Sequence, residues 1–343
     1  MLFRGDPKLH CEFEQWAPCI GRYSRFWGGN NSRLSLAVRG VVEQYSSLPS
    51  LVSQLILSNY DIIHTGDGLV GKWLRRLLAV RGDRAPRVIL NNAASSLEFC
   101  RGFDYVEVVA PYYLEEAGKL GLDTRNWFVN PYWADTSLFR PATHSERANA
   151  RGALGIPEKS TVVLSVGAVE PSHKRMDYLV KEVAKSREKV NERIFLLIVG
   201  ASAGYQTGAI RELGASLLKT DYKILTDVGH ERIHELYRTA DIFILASLHD
   251  YFPMAIIEAL ASGLPTIVHH AQVQRWMAGG GGRFVAMDKP DSLAHAIVEF
   301  VNDPVASRSY GMRARERALA LFSPASVIPR IVEMYQRVAG HRK

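Results

Sequence analysis

Two acidic residues, Asp250 and Glu258, stand on either side of a predicted helix start. Pro253 suits the first turn of a helix, Met254 to Leu260 are good helix formers, and Gly263 ends the pattern. Asp250 therefore lies in a loop and Glu258 inside the helix. A carboxylate in each position can hold hydroxyl groups, so the pair suggests a binding site for a sugar or a ribose.

The start of this helix adds a second kind of chemistry. Backbone N–H groups in the first turn have no partner within the helix, and such groups attract phosphate. The candidate phosphate-binding residues are Phe252, Pro253, Met254 and Ala255. Spacing alone is weak support, because two acids at this distance recur by chance and a helical Glu is usually solvated.

Buried strands must position these residues. Asp241 to Ala246 precedes the loop as a short apolar run, and Thr266 to Val268 follows the helix as another. Upstream, strands alternate with helices, which predicts a doubly wound parallel sheet. The predicted strands are Val162–Val166, Ile194–Val199 and Tyr222–Leu225, and the predicted helices lie near 176–189, 208–218 and 232–239. In such sheets ligands bind beyond the carboxyl ends of the strands, where Asp250 lies.

The segment from Asp250 to Thr266 resembles the nucleotide-sugar signature of retaining glycosyltransferases of the GT-B fold, in particular the GT4 family. That signature has a Glu, seven residues and a second Glu, followed by Ala-Leu/Met-Ala-Ser/Cys-Gly-x-Pro. The matching residues are Phe252, Pro253, Glu258, Ala259, Ala261, Gly263 and Pro265. Two residues depart from it: Asp250 replaces the usual Glu, and Tyr251 replaces a common Gly.

A second loop resembles the family's Gly-Arg-Leu-x-x-x-Lys-Gly motif. Gly167 and Lys174 match it, whereas Ala168 stands where the Arg is expected. The resemblance implies that Lys174 neutralises the donor's diphosphate, with Arg175 as a partial substitute for the missing Arg. The alternative interpretation is that Lys174 and Arg175 are the solvated start of a helix.

The N-terminal half is less informative. The interpretation here is a strand at Leu2–Phe3, a helix over Leu9–Tyr23, an alternating strand at Arg33–Val38 and a helix over Leu48–Leu57. After the strand Arg87–Leu90, Asn91 or Asn92 occupies the place where the family commonly carries a His. The spacing of Pro131, Asp135, Phe139 and Pro141 resembles the spacing at the end of the family's N-terminal domain. Residues 142–159 are polar and mixed, and we interpret them as a linker.

Composition describes a globular protein with a mild basic excess. The 343 residues carry a net charge of +7 and 47% hydrophobic residues, and Cys11, Cys19 and Cys100 show neither a disulfide framework nor a zinc spacing. The start of the chain is no secretory signal, and no apolar run approaches the ~20 residues of a membrane span, so we expect a cytoplasmic protein. No nucleic-acid-binding signature is present. The helix Val70–Val80 carries a basic side, which leaves peripheral membrane contact open.

By resemblance, the expected fold class is α/β, with two Rossmann-like doubly wound domains of the GT-B type facing a cleft. We expect an acceptor-binding domain over residues 1–145 and a nucleotide-sugar-binding domain over residues 146–325. A C-terminal helix within 326–343 is expected to cross back to the first domain. The resemblance implies transfer of a sugar from a nucleoside diphosphate sugar, UDP- or GDP-linked, to a hydroxyl of a glycan, lipid-linked or small-molecule acceptor. It also implies retention of configuration with no cofactor and no metal.

Candidate catalytic residues on this reading are Asp250 at the transferred sugar, Lys174 at the diphosphate and Glu258 at the ribose. Gly167, Arg175 and the helix-start residues complete the predicted donor site. The main alternative is a catalytically degenerate relative acting as a binding or regulatory subunit, because Ala168, Asp250 and Asn92 all depart from the family pattern. An epimerase or a sugar-phosphate synthase on the same fold is a further alternative.

Overall fold

A computed structural model describes residues 2–4, 14–16, 36–57, 60–92 and 96–340. The chain forms two compact units, one from Met1–Asn130 with Ile331–Lys343 and the other from Pro131–Arg330. The division falls at Asn130, before the expected boundary at 145. The C-terminal helix contributes residues to both units.

The first unit contains a parallel four-stranded sheet in the order β3-β4-β5-β6. Its strands are β3 (Ile62–Thr65), β4 (Arg87–Asn92), β5 (Tyr105–Val108) and β6 (Trp127–Val129), and its helices are α1 (Leu36–Leu57), α2 (Gly68–Leu78) and α3 (Pro111–Lys119). A short parallel pair, β1 (Leu2–Arg4) and β2 (Glu14–Trp16), lies in the same unit. Asp67 begins α2 by accepting hydrogen bonds from the N–H groups of Leu69 and Val70.

Two apolar clusters hold this unit together. One lies between α1 and α2 and includes Leu51, Leu55, Leu74 and Leu78. The other forms where helix α12 (Pro324–Gly340) contributes Met334 and Val338, which pack with Ile89 of β4 and Tyr105 of β5. Arg87 reinforces the contact by donating a hydrogen bond of 2.9 Å to the carbonyl oxygen of Val338. The first unit therefore depends on residues from the end of the chain.

The second unit contains a parallel six-stranded sheet in the order β12-β11-β10-β7-β8-β9. Its strands are β7 (Thr161–Val166), β8 (Ile194–Gly200), β9 (Tyr222–Thr226), β10 (Ile242–Leu245), β11 (Thr266–His269) and β12 (Gly282–Val285). Its helices are α4 (His144–Leu154), α5 (Met176–Arg187), α6 (Tyr205–Leu218), α7 (Ile233–Tyr237), α8 (Met254–Ala261), α9 (Gln272–Ala278), α10 (Ser292–Asn302) and α11 (Pro304–Leu321), followed by the first part of α12. This is the strand order of a dinucleotide-binding Rossmann sheet. The predicted doubly wound α/β fold is confirmed.

The strands at the centre of this sheet are buried on both faces. Every residue of β10 and all but the last of β8 are buried, which explains their continuous apolar sequences. Helices α5, α6 and α10 contribute Leu179, Ile210 and Ile297 to the same core.

The interpretation of 142–159 as a linker was wrong. Residues 144–154 form α4, whose start carries a capping box: the Thr143 hydroxyl accepts from the Glu146 N–H, and the Glu146 carboxylate accepts from the Thr143 N–H. Gly155, in the left-handed region at φ 66°, ends the helix. Arg151 of α4 is buried and its guanidinium donates to Asp241 Oδ2 at 2.6 Å, so the segment is part of the second unit.

Two predictions for the N-terminal half were also wrong where the structure describes the chain. The expected strand at Arg33–Val38 is helical from Leu36 onward, because the segment continues into the long apolar helix α1. The expected helix over Leu9–Tyr23 contains the strand β2. The rest of both segments lies outside the described residues.

Among the helices that the structure describes, each is too short or too polar to cross a bilayer.

Candidate functional site

The candidate site lies where the strand order of the second sheet reverses. Strands β7 and β10 are neighbours there, although β8 and β9 separate them in sequence. The loop after β7 carries Lys174 and the loop after β10 carries Asp250, and Lys174 Nζ lies 2.5 Å from Asp250 Oδ2. Ligands of open parallel sheets bind at such a switch point. The structure thus brings together two predicted site residues that are 76 positions apart.

A buried carboxylate shapes the loop that carries Lys174. Glu170 accepts hydrogen bonds from the backbone N–H groups of Ser172, His173 and Lys174 and from the Ser172 hydroxyl. Burial raises the pKa of Glu170, but these hydrogen bonds outweigh it and lower the pKa to about 2. The carboxylate is therefore ionised at neutral pH and fixes the loop. The role of Glu170 was not predicted from the sequence.

The same loop is tied to its neighbours by the two residues beside Lys174. His173 Nε2 lies 2.9 Å from the carbonyl oxygen of His249, next to Asp250. Arg175 donates to the carbonyl oxygens of Met287, at 2.9 Å, and Ala246, at 3.3 Å, and its guanidinium lies 4.1 Å from the ring centroid of Tyr178. These contacts give Arg175 a role in joining loops. Its predicted role as a substitute phosphate ligand stays a prediction.

Gly167 lies against a second glycine. A Cβ atom added to Gly200, at the end of β8, would lie 1.7 Å from the carbonyl oxygen of Gly167. Just beyond, Val169 and Ser202 form a parallel bridge. The loops after β7 and β8 therefore pack backbone to backbone, and this close approach explains the glycine at position 200.

Helix α8 begins beside Asp250. Pro253 is its N-cap, and no side chain among the described residues caps it. Its first N–H groups, on Met254 and Ala255, have no partner within the helix, and their role in binding phosphate stays a prediction. Phe252 is buried instead in an aromatic cluster, with ring centroids 5.4 Å from Tyr132 and 6.2 Å from Phe322. Its side chain anchors the helix start.

Glu258 lies inside α8 and is only 7% exposed. Its Oε2 accepts a hydrogen bond of 2.7 Å from the hydroxyl of Tyr237, which is itself buried and packs on Phe139 and Phe243. Burial and the negative charge of Glu258 raise the pKa of Tyr237 well above its usual value, so the phenol keeps its proton. Tyr237 holds the orientation of the carboxylate, and this role was not predicted from the sequence.

Three potential metal ligands meet beyond β11 and β12. The ligand atoms of His269, His270 and Asp288 all lie within 4.8 Å of one another. However, His269 Nδ1 accepts a hydrogen bond of 3.2 Å from the Met287 N–H, so the neutral ring carries its proton on Nε2. Burial lowers the pKa of His269, which favours this neutral form. We assign no metal to this cluster.

In the first unit, the asparagines at the end of β4 are engaged within the protein. Asn91 donates to Glu107, a buried carboxylate that also accepts from Asn130 at 2.8 Å and lies 3.1 Å from His64 Nε2. His64 Nδ1 in turn lies 2.7 Å from the Tyr335 hydroxyl of α12. Asn92 is fully buried. This polar network was not predicted, because its members come from five separate segments.

Comparison with known families identifies the C-terminal part of the chain. The sequence model of the family described as glycosyl transferases group 1 matches residues 146–317, half of the chain. The chain belongs to this family. The matched segment contains every predicted donor-site residue, from Gly167 to Glu258.

Curated relatives support the assignment. The chain is 26% identical over 243 residues to the D-inositol 3-phosphate glycosyltransferase of Streptomyces avermitilis, covering 68% of this chain and 48% of that protein. It is 22% identical over 219 residues to the alpha-galactosylglucosyldiacylglycerol synthase of Streptococcus pneumoniae, covering 63% of this chain and 57% of that protein. The chain spans about half the length of the curated relatives it matches.

Solved structures share the fold. The sucrose-phosphate synthase of Thermosynechococcus elongatus superimposes with a TM-score of 0.72 at 21% identity, covering 87% of this chain and 79% of the other. Anabaena HepE in complex with UDP gives a TM-score of 0.73 at 15% identity, covering 87% and 84%. The predicted GT-B fold class is confirmed.

Proposed function

We propose that this protein is a retaining glycosyltransferase that moves a sugar from a nucleoside diphosphate sugar to an acceptor hydroxyl. The observation that carries the proposal is the meeting of Lys174 and Asp250 at the switch point of the second sheet, beside the uncapped start of α8. A cation and free N–H groups bind phosphate, and a carboxylate binds sugar hydroxyls. Family membership supports the same reaction class.

Each residue has a proposed role. The Lys174 ammonium and the N–H groups of Met254 and Ala255 hold the diphosphate and stabilise the charge that grows on it as the sugar leaves. The Glu258 carboxylate, oriented by Tyr237, holds the ribose hydroxyls. Asp250 holds a hydroxyl of the transferred sugar. These groups supply the charge neutralisation that transfer requires, so the proposed reaction is independent of a metal.

Retention of configuration follows from the proposed route. The acceptor hydroxyl attacks from the face that the diphosphate leaves, and an oxygen of the leaving phosphate takes the acceptor's proton. The C–O bond to the acceptor forms as the C–O bond to phosphate breaks, and the products are the glycoside and the nucleoside diphosphate. No protein nucleophile is needed.

For the donor we favour a UDP-sugar over a GDP-sugar, because a protein of the same fold binds UDP. For the acceptor we propose a hydroxyl of a polar lipid or an inositol phosphate, since relatives are named for glycosylation of such molecules. A soluble glycan is the alternative acceptor.

The proposal is tested first by thermal unfolding of the purified protein with UDP, GDP or ADP. A ligand at a hundredfold excess over its Kd stabilises the folded state by about 2.7 kcal/mol. We expect UDP to raise the unfolding temperature and Lys174→Ala or Glu258→Ala to abolish the increase. Lys181→Ala, which removes an exposed lysine of α5, is the matched control. Absence of a shift with every nucleotide at millimolar concentration would contradict the proposal.

One observation favours a second candidate, a nucleotide-binding protein without transfer activity. Ala168 stands where the family carries an Arg, and the guanidinium of Arg175 is bonded to two carbonyl oxygens. The site thus has less positive charge than the family pattern provides. Binding of UDP without hydrolysis or transfer from UDP-glucose, UDP-galactose or UDP-N-acetylglucosamine would favour this candidate.

A further inference from the structure

An exposed apolar tip lies where α1 and α2 end. At the end of α1, Ile56 is 50% and Leu57 87% exposed. In the last turn of α2 Leu77 is 42% exposed, and just beyond α2 Val80 is 84% exposed. The two helix ends meet, because Leu55 and Leu78 share one buried cluster. Single exposed apolar residues are common on protein surfaces, whereas several of them on two adjoining helix ends are typical of an interaction site.

A hydrogen bond fixes the geometry of this tip. Residues 79–84 continue from α2 as a 3-10 segment, and Arg81 of that segment donates to the carbonyl oxygen of Leu55 at 3.0 Å. Leu55 immediately precedes the exposed pair on α1 and Arg81 immediately follows Val80, so the bond ties the end of α1 to the segment that carries Val80.

The surroundings of the tip are strongly basic. Residues 68–87 contain six arginines or lysines and one acidic residue, which gives this short segment a net charge of +5. Some of these cations are engaged: Lys72 lies over the Phe99 ring, and Arg75 pairs with Asp104. Arg76 and Arg84 are exposed, and within the described ranges of the chain neither has a carboxylate partner. Arg76 also lies 5.7 Å from the ring centroid of Trp73. These two arginines form the basic rim of the tip.

We propose that this tip is a docking site for an anionic lipid bilayer. A membrane surface offers phosphate charges to Arg76 and Arg84 and an apolar layer just beneath them to Leu57 and Val80. A nucleic acid would satisfy the arginines but leave the apolar side chains in water. Of the basic side chains on α2, Lys72 and Arg75 are engaged elsewhere, and Arg76 belongs to this surface.

The proposal is tested by sedimentation of the full chain with vesicles. We expect binding to vesicles of phosphatidylcholine with phosphatidylglycerol, little binding to phosphatidylcholine alone, and loss of binding as salt rises. The double variant Arg76→Glu, Arg84→Glu should bind at least about thirtyfold more weakly, as expected for two basic residues at such a surface. The double variant Leu57→Ser, Val80→Ser should lose binding even at low salt.

The matched control is Val305→Ser with Met312→Ser, which removes two exposed apolar side chains from α11. It should bind vesicles like the unaltered protein. All these side chains are exposed, so each variant should keep the unaltered thermal unfolding midpoint. Equal binding to both kinds of vesicle, no binding to either, or unaltered binding by the Leu57/Val80 variant would overturn the proposal. So would binding of a short RNA duplex that the arginine variant abolishes and the serine variant leaves unchanged.

Discussion

Lys174 and Asp250 form an ion pair, with an Nζ to Oδ2 distance of 2.5 Å and side chains that are 17% and 13% exposed. The pair joins the loops after β7 and β10. A diphosphate that binds here therefore competes with the Asp250 carboxylate for the Lys174 ammonium group. Nucleotide affinity and sugar transfer are expected to respond in opposite directions when this carboxylate loses its charge.

The first prediction concerns Asp250→Asn. Without the negative charge, Lys174 is fully available to the diphosphate, and UDP should bind about fivefold more tightly, since a pair of this kind contributes roughly 1 kcal/mol. Transfer should fall, because an amide holds the sugar hydroxyl more weakly than a carboxylate does. Calorimetric titration with UDP and a transfer assay measure the two effects. Asp250→Glu, which restores the family residue and the charge, is the control and should leave UDP affinity near its original value.

The second prediction concerns Tyr237→Phe. The substitution removes a hydrogen bond to the buried Glu258 carboxylate and should lower the free energy of unfolding by about 1–3 kcal/mol. UDP affinity should fall as well, because the carboxylate loses its fixed orientation. Chemical denaturation and UDP titration test both effects. Tyr222→Phe removes an exposed hydroxyl that donates to the Arg211 carbonyl oxygen and should change neither quantity by much.

The third prediction concerns pH and Glu170. Its pKa of about 2 in the folded protein lies below the usual 4.5, so its contribution to stability is complete above pH 4.5 and is lost as the pH falls toward 2. The unfolding free energy of Glu170→Gln should therefore approach that of the unaltered protein as the pH falls through this window. Denaturation curves at several pH values measure the difference. A constant difference from pH 6 to pH 2 would contradict the prediction, and Glu212→Gln, on the exposed side of α6, should show no such convergence.

The fourth prediction concerns Gly200→Ala. The Cβ of the new alanine would overlap the carbonyl oxygen of Gly167, and a backbone atom cannot move aside as the end of a flexible side chain can. We expect the free energy of unfolding to fall by at least about 2 kcal/mol, as it does when a core is overpacked. UDP should also bind more weakly. Gly208→Ala is a close control, because a Cβ there meets no atom within 4 Å and alanine favours the helix by about 1 kcal/mol. Equal unfolding midpoints for the two variants would argue against the close approach.

The second unit could be predicted well from sequence for a physical reason. Strands buried on both faces must be apolar throughout, so β8 and β10 appear as continuous apolar runs, and the helix-start and glycine signals between them are local. Placing Lys174 and Asp250 in loops at the carboxyl ends of one sheet put both at the same edge, but their ion pair was not predicted.

The partners of the site residues could not be found in the same way. Tyr237 and Glu258 are 21 positions apart, and a tyrosine on a short helix has no local feature that distinguishes a core filler from a hydrogen-bond donor. The start of α4 is different, since Thr143 and Glu146 form a capping box that is visible in the sequence. Its polar composition led to the linker interpretation instead.

Helix α12 has a consequence for biosynthesis. The ribosome releases residues 331–340 only after the whole second unit has been made, yet Met334 and Val338 complete the packing over Ile89 and Tyr105 in the first. A nascent chain that stops short of these residues carries an uncovered apolar sheet face, which is prone to aggregation. The first unit is therefore synthesised first, but its packing is completed last. A protein truncated at residue 130 should need the α12 segment, supplied by fusion or as a peptide, to remain in solution.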